Sequence, residues 1–415
     1  MVWRRISRGA VALVAATTLA GCWYDPWGNA DRSRYDPSAN AITAANVGSL
    51  ALEWTSHVDS GPAHDAVQTN SGLAMNDDAN AYGIGLDGTR LWKRDASFTQ
   101  PVFSDGGTVL VPSLASSTDE GGTTTWVTAA DGTPTGRVES GRLLARRGDI
   151  AVLGASFSPH IAPGLELQVL QVWNLATDQL VWGGWPGGTG ARSLPDVTVG
   201  RKWIYHAGDG TIADAPGMPV VGNALRAWDL VDPVDITQFG GPYIAPTWAV
   251  PLDGSTAVPP VLDPSESVVY TGTDAGTVYA VDIDSHAVLW TASVGSAVTA
   301  SPALANGKLY VPTSSGTLTV LDAGGCGAAT CSPLWTASAT AKMTVQPAVA
   351  GGFVYTGASN GAVRAFAADG CGASACQPLW STGVLSPITG GPTVFAGRVF
   401  YGTASGYVVS YKPTS

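Results

Sequence analysis

A self-similarity of about 45 residues in the C-terminal half constrains this 415-residue chain more than any other feature. Four segments align: 268–281 (VVYTGTDAGTVYAV), 308–321 (KLYVPTSSGTLTVL), 353–366 (FVYTGASNGAVRAF) and 398–411 (RVFYGTASGYVVSY). Each reads as an apolar strand, a small-residue turn with Gly, and a second alternating strand, which is a β-hairpin pattern. A proline precedes each hairpin (Pro260, Pro302, Pro347, Pro392), at spacings of 42, 45 and 45. A tryptophan follows the first three (Trp290, Trp335, Trp380), at spacings of 45 and 45. The unit is therefore an inner strand, two middle strands and an outer strand ending in Trp. Such a unit cannot cover its apolar face alone and must stack on copies of itself. Charged residues make up only 13%, and there are 52 Gly and 27 Pro. That composition excludes a helical bundle, which needs Glu, Lys, Ala and Leu, and calls for many turns.

Four strands per unit of this length make a propeller blade. Upstream the repeat is more degenerate. Outer-strand positions fall at Trp54, Trp92, about Val138, Trp182 and Trp248, and the 66-residue gap from Trp182 to Trp248 marks an insertion. With Trp290, Trp335 and Trp380 this counts eight blades, seven being the alternative. After Trp380 the chain supplies three strands, and 49–58 (SLALEWTSHV) supplies one outer strand. The expected fold is an all-β, eight-bladed propeller whose N-terminal strand closes the last blade and leaves no open edge. Each Trp is expected to lie over the neighbouring blade.

The segment Ala280-Val-Asp-Ile-Asp-Ser-His-Ala-Val-Leu-Trp290 resembles the tryptophan-docking motif of quinoprotein-like eight-bladed propellers, with His286 where that motif has Gly. Gly85-Leu-Asp-Gly-Thr-Arg-Leu-Trp92 is a shorter version. The stretch from Arg34-Tyr35-Asp36-Pro37 to Trp54 is similar to the N-terminal part of quinoprotein dehydrogenases. The resemblance covers 49–415, strongly from 255 onward.

The first residues read as an address. Arg4, Arg5 and Arg8 precede a 12-residue apolar run, too short to span a membrane. It ends in Leu19-Ala20-Gly21-Cys22, which resembles the lipobox of bacterial lipoproteins. That resemblance implies a signal peptide at 1–21, a lipid thioether on Cys22 and a mature N-terminus there. Residues 22–48 would form a tether and 49–415 the propeller. Removing the three arginines takes the net charge from −11 to −14, which disfavours nucleic acid as a partner.

The other four cysteines form two pairs, Cys326/Cys331 and Cys371/Cys376, at the same place in successive blades. The short loops and an exported location point to two disulfides, with a four-Cys metal site as the rival. Chemistry-bearing constellations are thin. His57, His64, His160, His206 and His286 form no close metal-ligand spacing, and Asn76-Asp77-Asp78-Ala79-Asn80 reads as an inter-strand turn before it reads as a cation loop. Asp87-Gly88, Asp131-Gly132 and Asp369-Gly370 read as hairpin turns.

The quinoprotein dehydrogenases use pyrroloquinoline quinone (PQQ), Ca2+ and a disulfide between adjacent cysteines. No Cys-Cys dipeptide occurs here. The expectation is a cofactor-free, metal-free propeller lipoprotein, similar to the propeller lipoprotein of the outer-membrane β-barrel assembly machine. It would lie outside the cytoplasm, on the cell membrane or the outer membrane, and act as a scaffold for an envelope protein without catalysis. The inserted blade, 183–247, is the preferred patch. The alternative is a PQQ-dependent dehydrogenase-like enzyme, or a small-ligand sensor, using the central funnel.

Overall fold

Eight four-stranded antiparallel sheets succeed one another along the chain in the computed structural model. It describes residues 34–95, 102–113, 122–157, 167–184, 197–208, 222–232, 234–235, 244–256 and 258–414. Blades 1 to 7 occupy 67–95, 103–140, 142–184, 198–251, 261–293, 303–338 and 348–383. Blade 8 takes three strands from Ile388–Phe395, Arg398–Thr403 and Tyr407–Pro413 and its outer strand from Leu50–His57. The last pairing runs from Leu50 opposite Pro413 to His57 opposite Tyr407, so the two ends of the chain share one sheet. The fold is the eight-bladed propeller the repeats specify.

The repeat turns follow from local chemistry. Gly276, Gly316, Gly361 and Gly406, in the turns between second and third strands, all have φ near +80°. That left-handed region costs any residue with a Cβ. Each of these turns also holds the link to the next blade: the carbonyls of Gly276, Gly316 and Gly361 accept from the amides of Val294, Ala339 and Val384. At the seam the carbonyl of Gly406 accepts from the amide of Val58 in the same way.

Every outer-strand tryptophan in the sequence pattern docks on the blade that follows. The Nε1 of Trp54, Trp92 and Trp182 donates to the carbonyls of Leu86, Ala129 and Leu230, at 2.8, 2.9 and 2.8 Å. A Cβ on Gly88, Gly132, Gly325 or Gly370 would lie within 3 Å of Trp54, Trp92, Trp290 or Trp335 respectively. Only glycine lets an indole lie that close to the turn. In blades 5 and 6 a second-strand tyrosine takes over the carbonyl: Tyr270 donates to Ala323 and Tyr310 to Ala368, both at 3.0 Å.

Where the motif departs from its glycine, the contact is rebuilt. His286 adopts φ 58° and its ring stacks on Trp248, with centroids 4.7 Å apart and planes 19° from parallel.

Blade 2 carries no docking tryptophan. The expected position near Val138 lies on the right strand, but Val138 is 56% exposed, because a bulge between Pro134 and Val138 turns it outward. Arg137 makes the junction instead. It lies over the Trp126 ring and donates to the carbonyl of Leu175 at 3.0 Å and to Asp178 at 3.2 Å.

A bulge also explains the Leu-Trp pairs. Trp92 sits opposite Gly83 and Arg90 opposite Ile84, so Leu91 is the extra residue; Leu289 in blade 5 has the same place. The bulge aims the indole inward and leaves the leucine outside.

At the seam Glu53, on the closing strand Leu50–His57, ties it to the two strands before it in blade 8. It accepts from Arg398 at 2.7 and 2.9 Å, from Lys412 at 2.6 Å and from Ser410 at 3.1 Å. Burial alone would raise its carboxyl, but the hydrogen bonds from Arg398 and Lys412 override that and hold it at about 2.

Two measurements check this account. Trp92→Ala should cost about 3–5 kcal/mol in urea unfolding, whereas Leu91→Ala, a residue away, should stay within about 0.5 kcal/mol of the parent. Glu53 has a folded pKa below its reference of 4.5, so its contribution is full above that pH and fades as pH falls toward 2. Glu53→Gln should therefore lower stability at neutral pH by on the order of 2 kcal/mol and narrow its difference from the parent as the pH falls through that window.

Candidate functional site

In this topology the turns between first and second strands, and between third and fourth, open on one side of the ring, here face 1. The turns between second and third strands and the links between blades open on the other, face 2. The innermost strands line the axis between the two faces.

The inner strands are tied together by side chains that reach the carbonyls of the inter-blade links. Thr198 donates to Pro260, Ser301 to Pro259 and Gln346 to Pro302, at 2.6, 2.8 and 2.8 Å. A threonine at or just after the link does the same in three blades: Thr299, Thr344 and Thr389 donate to the carbonyls of Met343, Ile388 and Ala63. The prolines of the sequence repeat thus serve the axis, because a proline keeps its carbonyl while giving up its N–H.

The axis holds one more strand. Tyr35–Asp36 pairs in parallel with the inner strand Ala348–Ala350 of blade 7, Tyr35 opposite Val349. Arg34, one residue before it, is fully buried. Its Nη2 contacts Asp65 at 3.0 Å, on the link into blade 1, and its Nη1 donates to the carbonyl of Pro392 in blade 8 at 2.9 Å. A Cβ on Gly391 would lie 2.6 Å from that Nη1. Arg34 has φ 51°, a conformation that non-glycine residues hold only where the surroundings enforce it. Tyr35 donates to Asn306 of blade 6 at 2.9 Å.

Three consecutive residues therefore touch blades 1, 6, 7 and 8 at the centre. Asp36 then accepts from the amide and hydroxyl of Ser38, and Pro37 ends the strand. The chain leaves across face 1, where the carbonyls of Ala39 and Ile42 lie on Gly351. Ile42 and Val47 join the core of blades 7 and 8 before Leu50 starts the closing strand. Residues 34–48, within the stretch read as tether, are thus packed on the propeller. An open hollow of about 360 Å³ remains between this strap, Asn306 and Gly352.

The other residues singled out in the sequence have structural settings. Asp77 is buried in the turn of blade 1, where it accepts from the amides of Ser60, Ala79 and Asn80 and from Tyr82 at 2.5 Å. Burial raises its carboxyl and these bonds more than reverse that, so it titrates below the usual range. Asp78 pairs with His64 at 2.9 Å and His57 packs edge-on against Tyr407. His160 lies outside the described residues, as do Cys22 and the 185–196, 209–221 and 236–243 stretches of the preferred patch. Blade 4 does carry an added two-stranded hairpin, Val234–Asp235 with Ile244–Ala245. Among the described residues no three His, Cys, Asp or Glu side chains converge as a metal site.

Cys326–Cys331 and Cys371–Cys376 are disulfide-bonded. Their loops turn sideways onto the preceding blade rather than outward. Ala329 and Cys331 bond Thr291 on the outer strand of blade 5, and Ser374 to Cys376 lie along Thr336 and Ala337 of blade 6. Each closed loop covers an edge that would otherwise be free to pair. Sequence spacing gave the bonds but not this direction, and it gave no sign of the strand on the axis.

A family model described as outer membrane protein assembly factor BamB matches residues 245–325 and 274–373. A search of curated proteins finds no match. Among solved structures, the quinohemoprotein alcohol dehydrogenase ADHIIG from Pseudomonas putida HK5 superposes with a TM-score of 0.69 at 14% identity, over 95% of this chain and 81% of that one. BamB from Moraxella catarrhalis superposes with a TM-score of 0.59 at 13% identity, over 88% of this chain and 99% of that one. The computationally designed Ika8 protein gives 0.56 at 18% identity, over 87% and 100%. What is shared is the propeller fold, common to an enzyme and to an assembly factor.

Arg34→Ala should lower stability by on the order of 2–3 kcal/mol, since it empties a buried position, removes the donor to the Pro392 carbonyl and leaves Asp65 with only the Gly391 amide. Arg34→Lys should recover only part of this, because one ammonium cannot reach both acceptors with the guanidinium's fork. Thermal melting of the three proteins side by side reads the order.

Proposed function

We propose that this chain is a lipid-anchored, extracytoplasmic propeller that binds an envelope protein and catalyses no reaction itself. One observation carries the reading: Arg34 and the Tyr35–Asp36 strand lie on the axis, where the alternative needs a ligand-accepting funnel. A planar quinone on the axis would have to displace a buried arginine held by Asp65 and Pro392. That placement speaks against PQQ on the side of the axis beside blades 1, 7 and 8. The likeness to BamB supports a protein partner, and the Leu19-Ala20-Gly21-Cys22 sequence supports the anchor, with Cys22 as the lipidated residue. The extra hairpin of blade 4 is the preferred contact patch. In this reading the docking tryptophans and the disulfides hold the ring rigid, and recognition belongs to loops.

Labelled palmitate should enter the parent but not Cys22→Ser, which should move to the soluble fraction. Detergent pull-down should recover an envelope protein that is lost when 236–243 is replaced by a short turn, at unchanged melting temperature. Addition of PQQ with Ca2+ should produce neither dye-linked alcohol oxidation nor a rise in melting temperature; either result would favour the enzyme or sensor.

A further inference from the structure

The outer edges of blades 5, 6 and 7 are built alike, and the last of them is left open. Thr291, Thr336 and Ser381 each follow the docking tryptophan of their blade, at spacings of 45 and 45. In blade 5 the amide of Thr291 donates to the carbonyl of Ala329 at 2.9 Å, and its carbonyl accepts from the amide of Cys331 at 2.8 Å. In blade 6 the amide of Thr336 donates to the carbonyl of Ser374 at 2.9 Å, and Ala375–Cys376 lies parallel to the outer strand as a fifth member of the sheet. Both occupants belong to the disulfide loop of the next blade. Blade 7 receives none, because blade 8 has no turn between its third and fourth strands. The short turn Val47–Ser49 stands in that place and makes no hydrogen bond to Ser381. Among the described residues no backbone group outside the sheet bonds Ser381, which is exposed where Thr291 and Thr336 are half-buried.

Open edges are commonly blunted by charge or proline. The outer strands of blades 8, 1 and 2 carry Glu53, Lys93 and Arg137, and that of blade 4 ends in Pro251. Trp380–Gly383 has neither device.

An uncompensated cation stands beside this edge. Arg364, on the third strand of blade 7, lies opposite Ser381, where blades 5 and 6 have Tyr279 and Thr319. Its guanidinium donates to the hydroxyls of Ser381 and Thr340, both at 3.3 Å, and to the carbonyl of Ser338. All three acceptors are neutral, and a guanidinium has N–H groups to spare beyond them. No Asp or Glu occurs between Asp322 and Asp369 or after Asp369, and Asp369 itself pairs with Lys308. Burial lowers the pKa of Arg364 with no carboxylate to offset it. A half-buried cation of this kind gains from an anion brought alongside.

We propose that the outer edge of blade 7 is a strand-addition site: it takes an extended segment of a protein partner, parallel to Trp380–Gly383, with an Asp or Glu opposite Ser381. The register comes from blades 5 and 6, where Thr330 and Ala375 stand opposite Thr291 and Thr336. Residues opposite each other in paired strands share a face of the sheet, so the acidic side chain lies on the side where Arg364 bonds Ser381. Main-chain bonds hold the segment and the ion pair selects its sequence. This deepens the reading of a protein-binding propeller and rests on it for the nature of the partner. It adds a second contact to the blade 4 hairpin.

The test protein is the full chain with Cys22→Ser, since the site needs no lipid. Hydrogen exchange read at single residues should show the Ser381 amide exchanging freely and the Thr336 amide protected. A protected Ser381 means that the edge is already covered, and overturns the proposal. Random eight-residue peptides displayed on phage are then selected against the same protein. Those that bind should carry Asp or Glu, slow exchange at Ser381 and lose roughly tenfold or more in affinity for Arg364→Gln, with Arg364→Lys in between. Ser381→Pro removes the outward amide and should abolish binding; it replaces Arg364→Gln should that variant melt early. No binding peptide, peptides without an acidic residue, or binding that leaves exchange at Ser381 unchanged overturns the proposal. So does self-association that Ser381→Pro abolishes, which makes the occupant a second copy, or Arg364-dependent binding to vesicles of anionic lipid in place of peptide. If the peptides fail while the pull-down through 236–243 succeeds, the strand site falls and the binding function stands.

Discussion

The junction between one blade and the next is the contact on which everything else in this ring depends. A single four-stranded sheet leaves one apolar face uncovered. Each outer strand answers this by laying a large side chain on the outer turn of its successor, and in most junctions a side chain also donates to a carbonyl of that turn. The indoles of Trp54, Trp92 and Trp182 do both jobs. Tyr270 and Tyr310 supply the donor where the indole only packs. Arg137 and the His286 ring show that the position tolerates other chemistry if the turn is still covered and the geometry kept. The constraint is a flat or extended group held flush against a turn that has no Cβ in the way.

The seam obeys the same rule with different parts. Blade 8 has no turn between its third and fourth strands, because the fourth comes from the other end of the chain. Trp380 therefore donates to the carbonyl of Leu50, the first residue of the closing strand, at 2.8 Å. Glu53 then ties that strand to Arg398 and Lys412 across 345 and 359 residues of sequence. The segment just upstream of the strand crosses from the axis to the rim, so one stretch of some twenty residues closes the ring, covers part of face 1 and fills part of the channel.

Much of the fold was legible because its determinants are local and repeated. Alternating apolar residues around turns such as Thr273-Asp-Ala-Gly276 specify hairpins, and the spacing of Trp290, Trp335 and Trp380 specifies the unit. The position near Val138 misled for a local reason as well: a bulge shifts which residue faces in, and periodicity cannot locate a bulge. The candidate site was far less legible. Nothing in Arg34-Tyr35-Asp36 marks it as a strand, and its partners lie in blades encoded up to 358 residues away.

By itself the sequence determined the blade, the tryptophan junctions outside blade 2, the shared last blade and the two cysteine pairs, and the closed ring decided eight copies over seven. All but the count are written in side-chain alternation, turn residues or spacing within one or two units. Only the tertiary structure decided what fills the axis, which way the disulfide loops lean, and that Arg137 stands in for a tryptophan. Those outcomes depend on which surfaces the closed ring brings together, and proximity across a ring is a property of its closure that no single repeat contains.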